Sequence, residues 1–399
     1  MRKKLGEIDI LAAAFLSGQG ENQETISQSL GLSQAVVSRM LKTATKRGLI
    51  EKRFVRERVT EDELKLIQAR IRPHRLLEIV SKMIAKSSEF PGPIIHVYPS
   101  DSRNTSAASW RNRLDKFAQA CARDVFEVLG PTATIGVSWG ETVARVIAAI
   151  KDLPINLVTS KQSARRVVPL IGEPLGLYVT QHSSSVLAAS LEEGLNQGIA
   201  SEPKHTLSLA PVPALIPWDL EESEVAAIRK LIGRITAYHE IFGEGEDKPN
   251  DGDAESPLIW QIDALLTSTS VEGRPLGFDD DSLIRAAGVD RDKLNELVMG
   301  DLGGALIPRS RLDGKAKAEV AGILRRWFGV RVSHIRNCSA RARKGAPGVL
   351  LLAIGANKAP VVHAALCRGL VQHLFIDQDL ADRLEQICSA SMQAHQTPA

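Results

Sequence analysis

Cysteine is scarce and scattered. Cys121, Cys338, Cys367 and Cys388 are the only four, and they form no CxxC pair. Zinc sites and disulfide frameworks need closely spaced cysteines, so neither is expected, and no metal or cofactor is assigned. The pattern suits a reducing compartment. Long apolar runs are missing too. No stretch reaches the roughly 20 apolar residues of a membrane span, so no membrane partner is expected. The segment Met1-Arg-Lys-Lys-Leu-Gly-Glu7 starts as a secretory signal does, but Glu7 and Asp9 precede only a short apolar stretch. A cytoplasmic protein is the expectation. Charge of one sign is also lacking: 50 Lys and Arg stand against 47 Asp and Glu, a net +3. No field spreads over the whole surface, so any attraction for nucleic acid must be local.

What is present is an ordinary globular composition, 44% hydrophobic and 24% charged over 399 residues. That length suits two or three domains and a core large enough to need no staple.

Residues 1–60 read as one unit. Ile8 to Ser17 has helical apolar spacing, broken at Gly18-Gln-Gly20. A second short helix runs to Leu30, Gly31-Leu-Ser33 makes a turn, and a third helix spans Gln34 to Arg47 before Gly48. Ser33 is a natural N-cap. Val37, Met40, Leu41 and Ala44 repeat at helical spacing and should face the first two helices. Gln34, Ser38, Arg39, Lys42 and Lys46 occupy the other face. Short polar side chains at a helix N-terminus can enter the major groove, with Arg and Lys holding phosphates behind them. The basic, β-rich stretch from Leu49 to Val59 reads as a wing. The expected DNA contacts are Ser33, Gln34, Ala35, Ser38, Arg39 and Lys42. The plainer alternative is a three-helix packing unit with a solvated basic face. Residues 61–90 read as a helical connector.

From about residue 91 the pattern changes. Short apolar runs at Pro93–Tyr98, Ala133–Val137, Ile155–Val158, Val167–Ile171, Ala264–Leu266 and Val349–Ile354 alternate with helix-like segments. This predicts an α/β domain, 91–399, with a parallel sheet and helices on both faces. Residues 243–257 are acidic and lack large apolar side chains, which predicts a disordered surface loop inside that domain.

Three glycine-bearing segments in this domain suggest a ligand edge. Gly136-Val-Ser-Trp-Gly-Glu-Thr142 follows a strand and opens a helix. It is neither a Walker loop nor a GxGxxG fingerprint. Gly136 and Gly140 allow close backbone approach, Ser138 and Thr142 offer hydroxyls, and the helix start offers N–H groups. Gly300-Asp301 lies in a second glycine cluster. Gly355 and Lys358 lie in a third turn. Lys358 can neutralise a phosphate and Asp301 can accept a sugar hydroxyl. Each also reads as a tight turn, a turn aspartate or a solvated lysine. Trp139 equally fits the core.

The ordered set of motifs resembles the SorC family of bacterial sugar-responsive transcription regulators. The residues are Gly31-Leu-Ser33 through Leu41, Ala44 to Gly48, Ile135 to Thr142, Gly300-Asp301, Gly355 to Lys358, Ala364 to Leu366 and Leu374 to Asp377. The resemblance implies a winged helix-turn-helix joined to a larger α/β/α effector domain related to sugar-phosphate isomerases. It implies a sugar or phosphorylated sugar as effector, operator DNA as partner, and a dimer or tetramer of the chain. Carried over residue by residue, the effector site is Gly136, Ser138, Trp139, Gly140, Thr142, Gly300, Asp301, Gly355 and Lys358. Departures are Glu141 where a basic or small residue is common, Ala356 for a second glycine, Thr267-Ser-Thr-Ser270 for a glycine-containing strand end, and Gln378 after Asp377. A regulator without catalysis is the leading expectation. An isomerase-like enzyme with a DNA-binding head, and a ligand-independent DNA binder, are the alternatives.

Overall fold

Apolar runs of four to six residues form the strands, as their β-branched and leucine content favours. In the computed structural model the described residues are 6–50, 60, 63, 67, 73, 75–82, 92–100, 107–130, 132–153, 164–173, 182–197, 207–243, 256–275 and 290–394. Several expectations fall outside them: the wing at 51–59, most of the connector, the strand at 155–158, and the acidic run at 244–255.

The N-terminal unit has three helices, Glu7–Gly18, Gln23–Leu30 and Gln34–Lys46. Ile26, Leu30, Val37, Met40 and Ala44 are buried against Leu11 and Leu16. The 3.6-residue period of the third helix puts this stripe inward and leaves the polar face out. Gly31 ends the second helix in the left-handed region, φ 61°, which is a glycine's C-cap role. Asn22 caps that helix by accepting the N–H groups of Glu24 and Thr25, each at 2.9 Å. One sequence expectation is corrected here. Ser33 sits at the N-cap of the third helix with extended backbone, but its side chain makes no capping hydrogen bond. Arg47 closes the unit from outside, 2.6 Å from Glu7.

The larger unit is built on a six-stranded parallel sheet of order β1-β8-β7-β4-β2-β3. The strands are β1 (Ile94–Tyr98), β2 (Thr134–Val137), β3 (Arg166–Pro169), β4 (Ala264–Ser268), β7 (Gly348–Ala353) and β8 (His373–Asp377). A separate antiparallel hairpin joins β5 (Val298–Leu302) to β6 (Ala305–Pro308). The alternation of β7 shows how both faces are filled. Leu350 and Leu352 pack with Phe117, Val146 and Leu191 on one face. Val349, Leu351 and Ala353 pack with Ile335, Val362 and Leu380 on the other. A continuous apolar strand is what a sheet covered on both sides requires, and each buried leucine contributes about 1.5–3 kcal/mol.

The connections locate the ligand edge. β2 and β4 are neighbours. The chain leaves β2 for β3 on one side and leaves β4 for β7 on the other. Helices after such strands diverge and open a crevice at the carboxyl ends.

The far edge of the sheet has a different chemistry. His96 on β1 and His373 on β8 flank Phe375, with ring centroids 4.4 and 6.4 Å away. His96 Nε2 and His373 Nδ1 are buried without a hydrogen-bond partner among the described residues. Burial pushes both imidazoles down; Asp124 opposes this at His96. His373 falls to about 4, with His96 adding to the effect of burial. A folded-state value below the unfolded one means that the unfolded chain binds more protons in between. The stabilisation is therefore full above about pH 6.5 and lost as pH falls toward 4. Between pH 7.5 and 5, His373 should cost the fold about 2 kcal/mol. Urea unfolding of the wild type and His373→Leu at both pH values checks this. The acid loss should shrink by that amount in the variant; an equal loss in both contradicts it.

Candidate functional site

A cavity of about 490 Å³ lies over the carboxyl ends of β2 and β4. Five stretches of the chain build it. Trp139, Gly140, Glu141 and Thr142 come from the turn after β2. Gly140 has φ 121°, and a Cβ there would lie 3.0 Å from Ser268 Oγ. Glycine thus lets the turn close onto β4 and start the helix Glu141–Lys151, whose first N–H groups have no acceptor within the helix. Ser268 ends β4, Thr269, Ser270 and Val271 follow it, and Arg274 lies beyond. Asp301 and Gly303 come from the hairpin, and Arg291 from the helix Arg291–Leu297 before it. Asn357 and Lys358 come from the turn after β7, and Trp110 and Leu114 from the helix Ala107–Leu129.

The second glycine segment lies in the antiparallel hairpin and not at the end of a strand of the parallel sheet. Leu302 and Ala305 pair across a two-residue turn, Gly303-Gly304, with φ of 52° and 90°. Two successive positive φ values make the tight hairpin turn that glycines permit. The hairpin is stitched to the end of β4. Thr269 Oγ1 donates to Asp301 O at 2.8 Å, Asp301 N–H donates to Ser270 Oγ at 2.9 Å, and Gly303 N–H donates to Ser268 O at 2.8 Å. Thr267-Ser-Thr-Ser270 therefore replaces flexibility with hydroxyl anchors. Asp301 is 3% exposed, and its Oδ1 accepts the Gly304 N–H at 2.7 Å.

The third turn is held from beneath. Gly355, φ 94°, donates its N–H to Asp377 Oδ1 at 3.0 Å, and Leu380 N–H donates to the same oxygen at 3.1 Å. Asp377 Oδ2 accepts from Arg113 Nε at 2.9 Å and also from Nη2. The Arg113 guanidinium lies 5.9 Å from the Trp110 ring centre. Lys358 ends the short 3-10 turn Ala356–Lys358 and stands at the N-cap position of the helix Ala359–Cys367, with no capping hydrogen bond from its side chain.

The structure thus brings Trp139, Gly140, Thr142, Asp301 and Lys358 to one cavity. It places the other residues beneath or beside it. Gly136 lies inside β2, where a Cβ would meet Ile262 at 2.8 Å and Leu170 at 2.9 Å. Ser138 is fully buried, and its hydroxyl donates to Thr267 Oγ1 at 3.0 Å. Gly300 packs against Val361, and Gly355 shapes the turn. Sequence reasoning missed Trp110, Arg274, Arg291 and Asn357. Only a knowledge of which loops meet reveals these.

Glu141 lines the cavity. Its Oε1 lies 3.6 Å from Arg145 Nη2 one helical turn on, and Arg145 also lies 3.1 Å from Asp115. The lining therefore carries Arg274, Arg291 and Lys358 against Glu141 and Asp301. Hydroxyls, carboxylates, two tryptophans and a cationic side can together bind a polyhydroxylated ligand with an anionic group.

At the N-terminal unit, Ser33, Gln34, Ala35, Arg39 and Lys42 are exposed on one side of the third helix, and Ser38 is half-buried. Arg39 Nε reaches Ala35 O at 3.4 Å.

The sequence matches no protein-family model and, among curated proteins, no relative. Solved structures do match. The full-length sorbitol operon regulator SorC from Klebsiella pneumoniae superposes with a TM-score of 0.52 at 18% identity, over 95% of this chain and 98% of its own. The chain has the fold of SorC. A candidate sugar-binding domain of a transcriptional repressor from Vibrio fischeri superposes at 0.51 with 16% identity, over 79% of this chain and 99% of its own. The SorC match spans both the helical head and the sheet unit. Among the described residues no helix is long and apolar enough to cross a membrane, and no group of His, Cys, Asp or Glu is placed to hold a metal ion.

Proposed function

We propose that this chain is a cytoplasmic transcription regulator whose DNA affinity is set by a sugar or sugar phosphate bound over β2 and β4. Residues 1–60 form the DNA-binding domain, 61–90 the connector, and 91–399 the effector and assembly domain. The observation that carries this reading is the convergence of five stretches of the chain on one cavity at the switch point of the sheet. Ser268, Thr269, Thr142 and Asp301 suit sugar hydroxyls. Trp139 and Trp110 suit the apolar faces of a sugar ring. Arg274, Arg291 and Lys358 suit a phosphate. Catalysis is not part of the proposal. Among the described residues no histidine or cysteine lines the cavity, and Asp301 is engaged in closing the hairpin. Two-fold assembly would pair two heads on a roughly palindromic site.

Thermal unfolding against a panel of sugars and sugar phosphates tests the cavity. A stabilising ligand at 100 times its Kd should add about 2.7 kcal/mol. Arg274→Ala and Lys358→Ala should each weaken a phosphorylated ligand about tenfold or more. Equal binding by wild type and both variants would remove the anion assignment.

A further inference from the structure

The hydroxyl-bearing residues that line the cavity over β2 and β4 are not equivalent. Thr269 donates to Asp301 O, and Ser270 accepts the Asp301 N–H, so both hydroxyls hold the hairpin. The side chains of Thr142 and Ser268 make no hydrogen bond among the described residues. Glu141 belongs with this second pair. All three meet at Gly140: Glu141 and Thr142 follow it in the chain, and a Cβ on it would lie 3.0 Å from Ser268 Oγ.

The Glu141 carboxylate is loosely held. Its Oε1 is 3.6 Å from Arg145 Nη2, beyond hydrogen-bond reach, and Arg145 stands closer to Asp115, at 3.1 Å. The carboxylate makes no hydrogen bond among the described residues. So long an ion pair, on a side chain 32% exposed, contributes little, and the carboxylate keeps its capacity to accept.

Position matters as much as charge. Glu141 is the first residue of the helix Glu141–Lys151. A helix start attracts anions through its unpaired N–H groups and its positive end. Here a carboxylate of the chain itself stands in that field, and a second anion entering beside it meets like charge. An ionised carboxylate only accepts hydrogen bonds, and neighbouring sugar hydroxyls are donors that match its two oxygens. An acidic side chain reads a ribose hydroxyl in the same way in dinucleotide sites.

We propose, on the reading that this cavity binds a sugar, that Glu141 determines which part of the ligand lies at the start of the helix: it accepts hydrogen bonds from neighbouring hydroxyls of a neutral sugar or polyol end, and it excludes a phosphate from that place. Thr142 and Ser268 complete the seat. An anionic group, where the ligand has one, lies away from Glu141.

The test uses the full chain, a panel of neutral hexoses and hexitols, and inorganic phosphate. Affinities come from the concentration dependence of thermal unfolding at fixed ionic strength. In Glu141→Gln the two kinds of ligand should move in opposite directions. The sugar that most stabilises the wild type should bind at least tenfold more weakly, as the loss of a charge-assisted hydrogen bond implies. Inorganic phosphate should bind at least fivefold more tightly. Arg145→Ala is the control, since it removes the neighbouring guanidinium and keeps the carboxylate; sugar affinity should change less than twofold. A purely structural role for Glu141 would weaken both ligands together, and that result overturns the proposal. Sugar affinity that does not fall, or phosphate affinity that does not rise, overturns it too, while sugar binding by the wild type leaves the sugar site standing. A sugar loss as large in Arg145→Ala as in Glu141→Gln also overturns it, because the ion pair and not the carboxylate would then matter. If no sugar of the panel stabilises the wild type, the sugar reading is what fails. Phosphate then decides on Glu141 alone: tighter binding in the variant supports exclusion, and unchanged binding overturns it.

Discussion

Asp377→Ala is expected to lower the unfolding free energy by about 3–5 kcal/mol. The carboxylate is 1% exposed and is the shared acceptor for Arg113, Gly355 and Leu380. Removing it leaves two backbone N–H groups without that partner and strips a mostly buried guanidinium of its main counter-charge. Asp379, 2.8 Å from Arg113 Nη2, compensates in part. Asp379→Ala is the control, since that side chain is 28% exposed and should cost about 1 kcal/mol or less. The effect of Asp377 should reach the cavity as well. The loop it anchors carries Asn357 and Lys358, and the arginine it holds lies over Trp110. Urea unfolding of both variants measures the first effect. Similar small losses in the two would show that Asp377 has no special burden.

Gly303→Ala is the second large effect. At φ 52° an alanine is strained, and its Cβ would lie 2.2 Å from Thr267 Oγ1 and 2.4 Å from Ser138 Cβ. Both neighbours are fully buried, so neither can swing into solvent. Overpacking plus strain should cost about 3 kcal/mol or more. The hairpin must lift away from β4, taking Asp301 out of the cavity. Gly273 is the matched control. Its φ is 77°, and nothing lies within 4 Å of a Cβ there. Gly273→Ala should cost only the conformational strain, about 1–2 kcal/mol. Equal costs at the two positions would mean that the close packing of Gly303 on Ser138 and Thr267 has no energetic weight.

These two residues also show what was legible in the chain. The apolar runs at 93–98, 133–137, 264–266 and 349–354 announced a parallel sheet because a strand covered on both faces is apolar throughout. The helices of the head were equally readable, since Val37, Met40 and Ala44 mark one side of a helix. Gly140, Thr142, Asp301 and Lys358 were singled out because glycine turns gather hydroxyls and charges where strands end, and all four line one cavity. Ser138 misled in detail: a hydroxyl in a glycine turn looks available until its partner, Thr267, is known from a strand 129 positions away. The hairpin at 298–308 was hidden because Met299-Gly-Asp-Leu-Gly-Gly304 has no strong strand pattern. Its pairing depends on hydroxyls at Thr269 and Ser270. Arg274 and Arg291 carry no local signal at all. Only the meeting of distant loops brings them to one wall.

The most direct test couples the two ends of the chain. DNA selected by the protein from a random pool serves as the operator, and its affinity is measured across salt concentrations with and without the sugar or sugar phosphate that stabilises the fold. The account predicts a ligand-dependent change in affinity of about 5- to 150-fold, lost in Arg274→Ala. It also predicts a shallower salt dependence and weaker binding in Arg39→Ala/Lys42→Ala. Operator affinity indifferent to a ligand that occupies the cavity, or turnover of that ligand, would contradict it.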